Sequence, residues 1–370
     1  MKKEKSCGIR TSIGGQALME GIMMRGPKRS AMAVRNTSGE IVVEEWDTTY
    51  SARNKFCKLP VIRGIFGFID SLGTGYKCLM RSAEISGLEE LEAEEKRAKE
   101  EKKLKKLAKK QGRDVEELRA EAEAARLAEE EKKAAVGENA DVGGEKKKKD
   151  SAMMTGVGVL SGVFAVVLMV GLFIFVPTLI YEGLIEKIPG MPVGNQFLQS
   201  AVEGLLRVVI LMGYMALMLL LKDIRRTFQY HGAEHKTIFC YEAGLPLTVE
   251  NVRKQKRFHP RCGTSFLVVM VMVSILVGFL IPSDFPVIPD AFDKVLRTAI
   301  KVLFVPLVMG LGYELIKLCG KYDNWFTKAI AAPGKWFQRI TVLEPDDGMI
   351  ECAIAAMEKA IPEDGSDKIQ

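Results

Sequence analysis

Histidine is scarce in this 370-residue chain: there are three, His231, His235 and His259, and all fall within one short stretch. The seven cysteines (Cys7, Cys57, Cys78, Cys240, Cys262, Cys319 and Cys352) are odd in number and spread along the chain, which excludes a disulfide framework. No basic segment followed by a short apolar core and a small-residue cleavage site opens the sequence, so no cleavable secretory signal is expected. A formal net charge of +6 is small for this length and gives no argument for nucleic acid, for which no specific motif is present. The glycine-rich stretch 13–27 lacks the Gly-Lys-Ser/Thr ending of a phosphate loop; its glycines suit close turns and its methionines a soft packing surface.

Charge is also missing from long runs. Residues 151–181 carry none, and a helix needs roughly 20 apolar residues to cross a hydrocarbon core. A second run, 204–221, reaches that length by admitting Arg207 near one end; a third is 262–283. A fourth, 302–313, must include Lys301 and Glu314. The fold expected is therefore an α-helical polytopic membrane protein with four predicted transmembrane helices in 151–321, a small cytoplasmic α+β portion and a charged helical insert. Lysine and arginine gather on the cytoplasmic side of a membrane. They crowd between the second and third runs, from Lys222 to Arg261, and flank the first and fourth, whereas the other two connections are acidic or nearly neutral. Both termini are expected in the cytoplasm. Glu203 with Arg207, and Arg297 with Lys301, fall near external helix ends and are expected to snorkel to the interface. Glu314 is a candidate partner of the histidine region or of Lys317.

Outside the membrane, region 1–83 holds a hairpin, 31–35 with 40–44 about a turn at 36–39, and an interfacial or re-entrant helix within 59–80. Residues 84–133 alternate Glu and Lys at helical spacing without a sustained heptad, which reads as a solvated helical spacer ending in a Gly/Lys-rich linker to 150. This 84–150 insert is also the place where a protein partner could dock. The tail, 322–370, brings Trp325, Phe326, Trp336 and Phe337 to the membrane interface, followed by an amphipathic helix expected to pack on the N-terminal region.

The chemistry concentrates in the loop 222–264. His231 and His235 are one helical turn apart and project from one face, with Glu234 beside them. His259 and Cys262 offer a second pair, and two such pairs can close a tetrahedron around zinc or another divalent transition metal. If all four ligate, the site is closed and structural. If three do, an open position admits water and Glu234 can act as its base. The His-x-x-Glu-His order also matches inverted zincins, although nothing else here resembles those soluble proteases; the histidines could instead pair with phosphate or carboxylate groups. Arg253, Arg257 and Arg261 are candidates for binding a phosphate or carboxylate substrate through bidentate contacts, or set topology only. Cys240 reads as a buried thiol.

Five segments carry a resemblance: Gly14-Gly-Gln-Ala-Leu-Met-Glu-Gly-Ile-Met-Met-Arg25, Tyr230-His-Gly-Ala-Glu-His-Lys-Thr-Ile238, Glu250-Asn-Val-Arg253, His259-Pro-Arg-Cys-Gly-Thr-Ser-Phe266 and Glu344-Pro-Asp-Asp347. In these the chain resembles the YqhQ-like bacterial membrane proteins, described as predicted metal-dependent enzymes. Departures are the charged insert and Lys335, where an apolar residue is expected. The resemblance implies a bacterial plasma-membrane protein and supports the metal. Two functions follow as expectations: a metal-dependent enzyme, hydrolytic on a phosphate-bearing or lipid-like substrate at the cytoplasmic face, or a scaffold or membrane-protein biogenesis factor with a structural metal clamp.

Overall fold

The computed structural model describes residues 9–48, 59–87, 162, 164–185, 187–190, 195–282, 290–322 and 324–369. The chain divides into two compact units, one of residues 1–86 with 169–370 and one of residues 87–168. The charged insert expected over 84–150 lies almost wholly outside the described residues, as do the linker to 150 and the start of the first apolar run.

Four strands, β2 (Gly14–Leu18), β3 (Gly21–Arg25), β4 (Arg29–Arg35) and β5 (Ile41–Asp47), form an antiparallel meander in sequence order, with Gly15 opposite Met24 and Ala33 opposite Val43. The hairpin read from the sequence is β4–β5. The glycine-rich stretch before it is not a set of turns but the hairpin β2–β3. Side chains alternate across a strand, so β3 and β4 serve two cores. Ile22, Met24 and Ala33 face helices α4 (Lys222–Glu242) and α10 (Asp347–Ala360), while Met23, Met32 and Val34 face Cys78 of α1 (Ile62–Ile85). Each Ile or Met fully buried there contributes about 1.5–3 kcal/mol. The short strand β1 (Arg10–Thr11) pairs with β6 (Lys368–Ile369), closing the two ends of the described chain together.

Among the described residues three helical stretches are long and apolar enough to cross a membrane: α2 (Phe164–Ile185), Phe197–Met218 within α3 (Gln196–Met218), and Val295–Lys321, which joins the end of α7 (Asp290–Leu303) to α8 (Val305–Lys321). The third apolar run of the sequence folds as α6 (Gly263–Gly278). Its 16 residues span about 24 Å, short of a ~30 Å hydrocarbon core, because Cys262 caps its first turn and the helix ends at Gly278. It packs antiparallel to both neighbours. Gly278 lies against Ser200 of α3 and Ile275 against Gly204 of α3, while Gly312 of α8 lies against Phe266 and Met270. Val269, Val273 and Val277 are buried with Val308. A further helix, α9 (Trp325–Thr341), buries its Phe337 in a separate cluster with Leu211 of α3 and Val268 of α6 and leaves Trp325, Phe326 and Trp336 exposed.

Snorkelling is not what Glu203, Arg207 and Lys301 do. Glu203 is buried and takes four donors: Thr178 Oγ1 and Gln199 Nε2, each at 3.0 Å, on Oε1, and Arg207 Nη2 at 2.9 Å and Lys301 Nζ at 2.7 Å on Oε2. Arg207 Nε donates to the Phe173 carbonyl, which belongs to a widened π turn of α2 (Gly171–Phe175). Arg297 turns inward to Glu182, 3.6 Å away. The charges converge from three helices, and each cation has a carboxylate within reach inside the bundle rather than at the interface. Glu314 likewise finds another partner: Arg63 of α1 grips both of its oxygens and the Val61 N–H donates to it at 3.3 Å, which ties α1 to α8.

Candidate metal centre

Helix α4 is buried from Tyr230 to Ile238 except at His231, which is partly exposed, because the sheet and α10 cover it. Gly232 permits this. A Cβ there would stand 1.9 Å from the Leu343 carbonyl, so only glycine lets residues 341–345 lie against the helix. That contact brings the Thr341 carbonyl to His231 Nδ1 at 3.0 Å. The Arg257 carbonyl occupies His235 Nδ1 in the same way. Both imidazoles are thereby fixed with Nδ1–H outward and Nε2 turned toward Cys262, which sits at the start of α6 with its Sγ 3.0 Å from His231 Nε2.

The ligand atoms of His231, His235 and Cys262 all lie within 4.8 Å of one another. From bond lengths of about 2.0–2.1 Å to nitrogen and about 2.3 Å to sulfur, the edges of a zinc tetrahedron measure roughly 3.3–3.6 Å, so the trio fits an ion with about an ångström of side-chain adjustment. Backbone carbonyls on both Nδ1 atoms are the anchors that metal-bound histidines use. Two polar atoms complete the test: His235 Nε2 and Glu234 Oε2 are buried with no hydrogen-bond partner among the described residues. A group of the chemistry of zinc satisfies the donor set.

Electrostatics favour the same state. Burial pushes the Cys262 thiol up, but the His231 and His235 imidazoles outweigh it and hold the thiol well below its ordinary range. Burial alone pulls His231 down; Cys262, then Glu234 and the Thr341 carbonyl, reverse the direction and raise it. Glu234 is raised, because burial exceeds the lowering by the two imidazoles and by the Gly15 N–H, which donates to Oε1 at 3.1 Å. Its Oε2 lies 4.0 Å from His231 Nε2. A buried carboxylate with an elevated proton affinity beside a candidate metal site has the properties of a general base.

His259 stands next to this trio rather than within it. Its ring centroid is 5.6 Å from that of His235, its Nδ1 accepts the Arg261 N–H, and its Nε2 is 3.8 Å from Glu242. Burial lowers it below the usual histidine range despite Glu242, so the ring is neutral. Gln338 of α9 clamps the His259 backbone through both its N–H and its carbonyl. The three arginines separate. Arg261 pairs with Glu242 and lines a cavity of about 600 Å³, onto which Glu234, His235 and Cys262 also face. Arg253 pairs with Asp347 and Arg257 with Glu344, outside that lining. Glu344 also takes the buried Lys236, so the Glu344–Asp347 stretch acts as a clasp on α4 and α5 (Val249–Arg253). The thiol of Cys240 is buried near the Pro246 carbonyl.

Several residues of the site were not read from the sequence. Glu242 lies two turns beyond His235 on the same face, a spacing that could have revealed it. Gly15 and Thr341 could not have been found, because they act through backbone groups distant in the chain. A Cβ on Gly15 would meet both Glu234 Cγ and the Met23 carbonyl at 2.8 Å, so β2 can reach the carboxylate only with glycine there.

The model of the family described as "Protein of unknown function (DUF1385)" matches residues 59–363. The chain is 31% identical over 363 residues to "Uncharacterized protein YqhQ" of Bacillus subtilis (strain 168), covering 98% of this chain and 95% of that protein. No solved structure matches the chain.

Proposed function

We propose that this chain, which belongs to the DUF1385 family, is a membrane-bound metal-dependent hydrolase whose site lies at the cytoplasmic face. The observation that carries the reading is the buried Glu234 Oε2 without a hydrogen-bond partner among the described residues, beside a His–His–Cys set whose histidine Nδ1 atoms are already anchored. His231, His235 and Cys262 would hold the ion. Zinc in such a three-residue set supplies Lewis acidity and brings the ionisation of water into the neutral range. Glu234 receives the proton at Oε2 while the Gly15 N–H holds Oε1 in place. Arg261 lines the cavity as one half of an ion pair with Glu242. His259 stays neutral and packs the floor.

The four-pass topology is part of this proposal. Cys262 starts α6 at the site, Gly278 reaches the level of Ser200, and α8 returns to the site at Lys317–Lys321; α6 thus covers nearly the same layer as its neighbours and supports a fourth crossing. The basic residues between α3 and α6 support a cytoplasmic site and cytoplasmic termini, in a bacterial plasma membrane. Labelling of single introduced cysteines from outside should reach position 190 but not position 254; labelling at 254 inverts the reading.

The enzyme is tested by metal content and function on the same preparations. Purified protein should hold about one zinc per chain, lost in His231→Ala, His235→Ala and Cys262→Ala. Glu234→Gln should keep the metal and the fold while failing to complement a deletion. A metal-free wild type removes the basis of the proposal. The second reading, a structural clamp in a scaffold that meets a protein partner through 84–150, draws on the way the trio ties α4 to the start of α6 and the end of α9. It requires Glu234→Gln to be tolerated.

A further inference from the structure

The cavity at the metal centre is not a closed pocket in the soluble part; one of its walls is a membrane helix. Tyr313, Ile316, Lys317, Gly320 and Lys321 of α8 line it. Their spacing, at i, i+3, i+4, i+7 and i+8, is one face of a helix, and they are the last residues of the candidate span Val295–Lys321. The face is graded along the axis: Tyr313 and Ile316 lie deeper in the span, the two lysines at its end. Ile13 and Ile238 add apolar surface opposite.

A second cavity of about 250 Å³ adjoins the first and shares His259, Arg261 and Gly320 with it. Among the described residues the two are lined by Arg10, Arg261, Lys317, Lys321 and Lys335, against the carboxylates of Glu234 and Glu242. Arg261 is matched by Glu242. Arg10 donates to the carbonyls of Gly320 and Lys321, at 3.2 and 3.1 Å, partners that carry no charge. Lys321 lies over the Tyr322 ring. The cationic excess sits where the apolar wall ends: Lys317 and Lys321 line the larger cavity with His235, Glu234 and Cys262, and Arg10 and Lys335 line the smaller one that adjoins it.

We infer that the substrate is a phosphate-bearing amphiphile that enters from the cytoplasmic leaflet along the α8 face, its head group held by Lys321, Lys335 and Arg10 and its apolar part against Tyr313 and Ile316. The inference rests on the metal-enzyme reading for what happens to the substrate, but not for its binding. Arg253 and Arg257, already engaged by Asp347 and Glu344, take no part. Lys335 departs from the apolar residue expected at its position, and here it supplies charge to the smaller cavity.

The test uses the full chain in a neutral detergent, with thermal stability recorded against increasing dihexanoyl phosphatidic acid, dihexanoylglycerol and inorganic phosphate. A ligand that binds the folded protein raises Tm with its concentration. Phosphatidic acid should give a saturable rise, with apparent affinity at least about tenfold above that of either fragment, since it alone satisfies both walls. Lys321→Glu with Lys335→Glu should weaken it about tenfold or more with zinc content unchanged. The neutral pair Lys321→Gln with Lys335→Gln should give a smaller loss in the same order. Lys254→Glu, on an exposed surface outside both cavities, should change nothing. Equal binding of dihexanoylglycerol, equal binding of inorganic phosphate, or an equal loss in the Lys254 variant would each overturn the inference. Zinc measured on the same samples separates the two proposals: discrimination for phosphatidic acid in a metal-free protein sinks the hydrolase and supports this subsite, whereas a zinc-loaded protein blind to the phosphate sinks the subsite alone.

Discussion

Glu203 and Glu234 are both almost fully buried, 2% and 5% exposed, yet their surroundings follow opposite rules. Glu203 sits among three candidate spans with both oxygens doubly hydrogen-bonded and two cations against one of them. Glu234 has one oxygen on a backbone N–H, the other without a hydrogen-bond partner among the described residues, and a cavity in front of it. A buried polar network with every group satisfied specifies one arrangement of helices and is costly to interrupt. One that leaves donor atoms aimed at an open space is organised for something that arrives. Burial of charge alone does not distinguish structure from function; the bookkeeping of partners does.

The comparison breaks most visibly at Glu203. Replacing it with alanine leaves Arg207 and Lys301 buried without their carboxylate, and loss of one partner from a buried ionic group costs about 3–5 kcal/mol. Glu203→Ala is expected to abolish accumulation of folded protein in the membrane, while Glu203→Gln, which keeps hydrogen bonds but not the charge, accumulates weakly. Normal yield and Tm for the alanine variant would show that the network is dispensable.

At the other site removal of the ligand, not of the side chain, should be the larger event. Chelation from a protein held at about a hundredfold excess of metal over Kd forfeits about 2.7 kcal/mol, which appears as a lowered Tm restored by zinc. Cys262→Ala should start at the chelated Tm and respond to neither treatment. Chelation that leaves the wild-type Tm unmoved counts against metal binding by the folded state.

Thiol chemistry sharpens the contrast without any assay of function. Cys262 lines the cavity, and its proton affinity is lowered by His231 and His235. It therefore keeps its reactive thiolate to lower pH than an ordinary cysteine. Burial raises Cys240, and raises Cys352 to about 11, and both are fully covered. In chelated native protein, iodoacetamide should modify Cys262 at pH 7 while Cys240 and Cys352 wait for unfolding, and zinc should slow Cys262 at least about tenfold. Peptide mass spectrometry of the quenched samples reads each cysteine. Equal labelling of the three would remove the assigned electrostatics.

Much of this was legible from local pattern. Charge-free runs pointed to helices fit for a bilayer, and the one-turn spacing of His231 and His235 placed two of the three clustered ligand atoms on one face. Failures came where partners are distant. Strands β2 and β3 are rich in glycine and methionine, residues whose strand preference is weak, and they hold because α4 and α10 cover one face. On its own helix Lys301 has the pattern of a snorkelling end, whereas its partner Glu203 lies 98 residues away. The Gly15 contact to Glu234 spans 219 residues.

Between the two extremes lies the pair of Arg63 and Glu314, which joins α1 to α8 with side chains 35% and 21% exposed. Its geometry is good, since Nε donates to Oε1 at 2.7 Å, Nη2 reaches Oε2, and the Val61 N–H adds a third donor. Both side chains are only part-buried by the protein, however, so neither charge is enclosed in its interior when the other is removed. The coupling energy from Arg63→Ala, Glu314→Ala and the double variant is therefore expected at about 1 kcal/mol, the upper end for exposed pairs. That is a shift of a few degrees in Tm at most, with zinc content unchanged. A coupling above about 3 kcal/mol would place this pair with Glu203 as a buried charge group, and part-exposure of the side chains would then not distinguish a surface pair from a buried network.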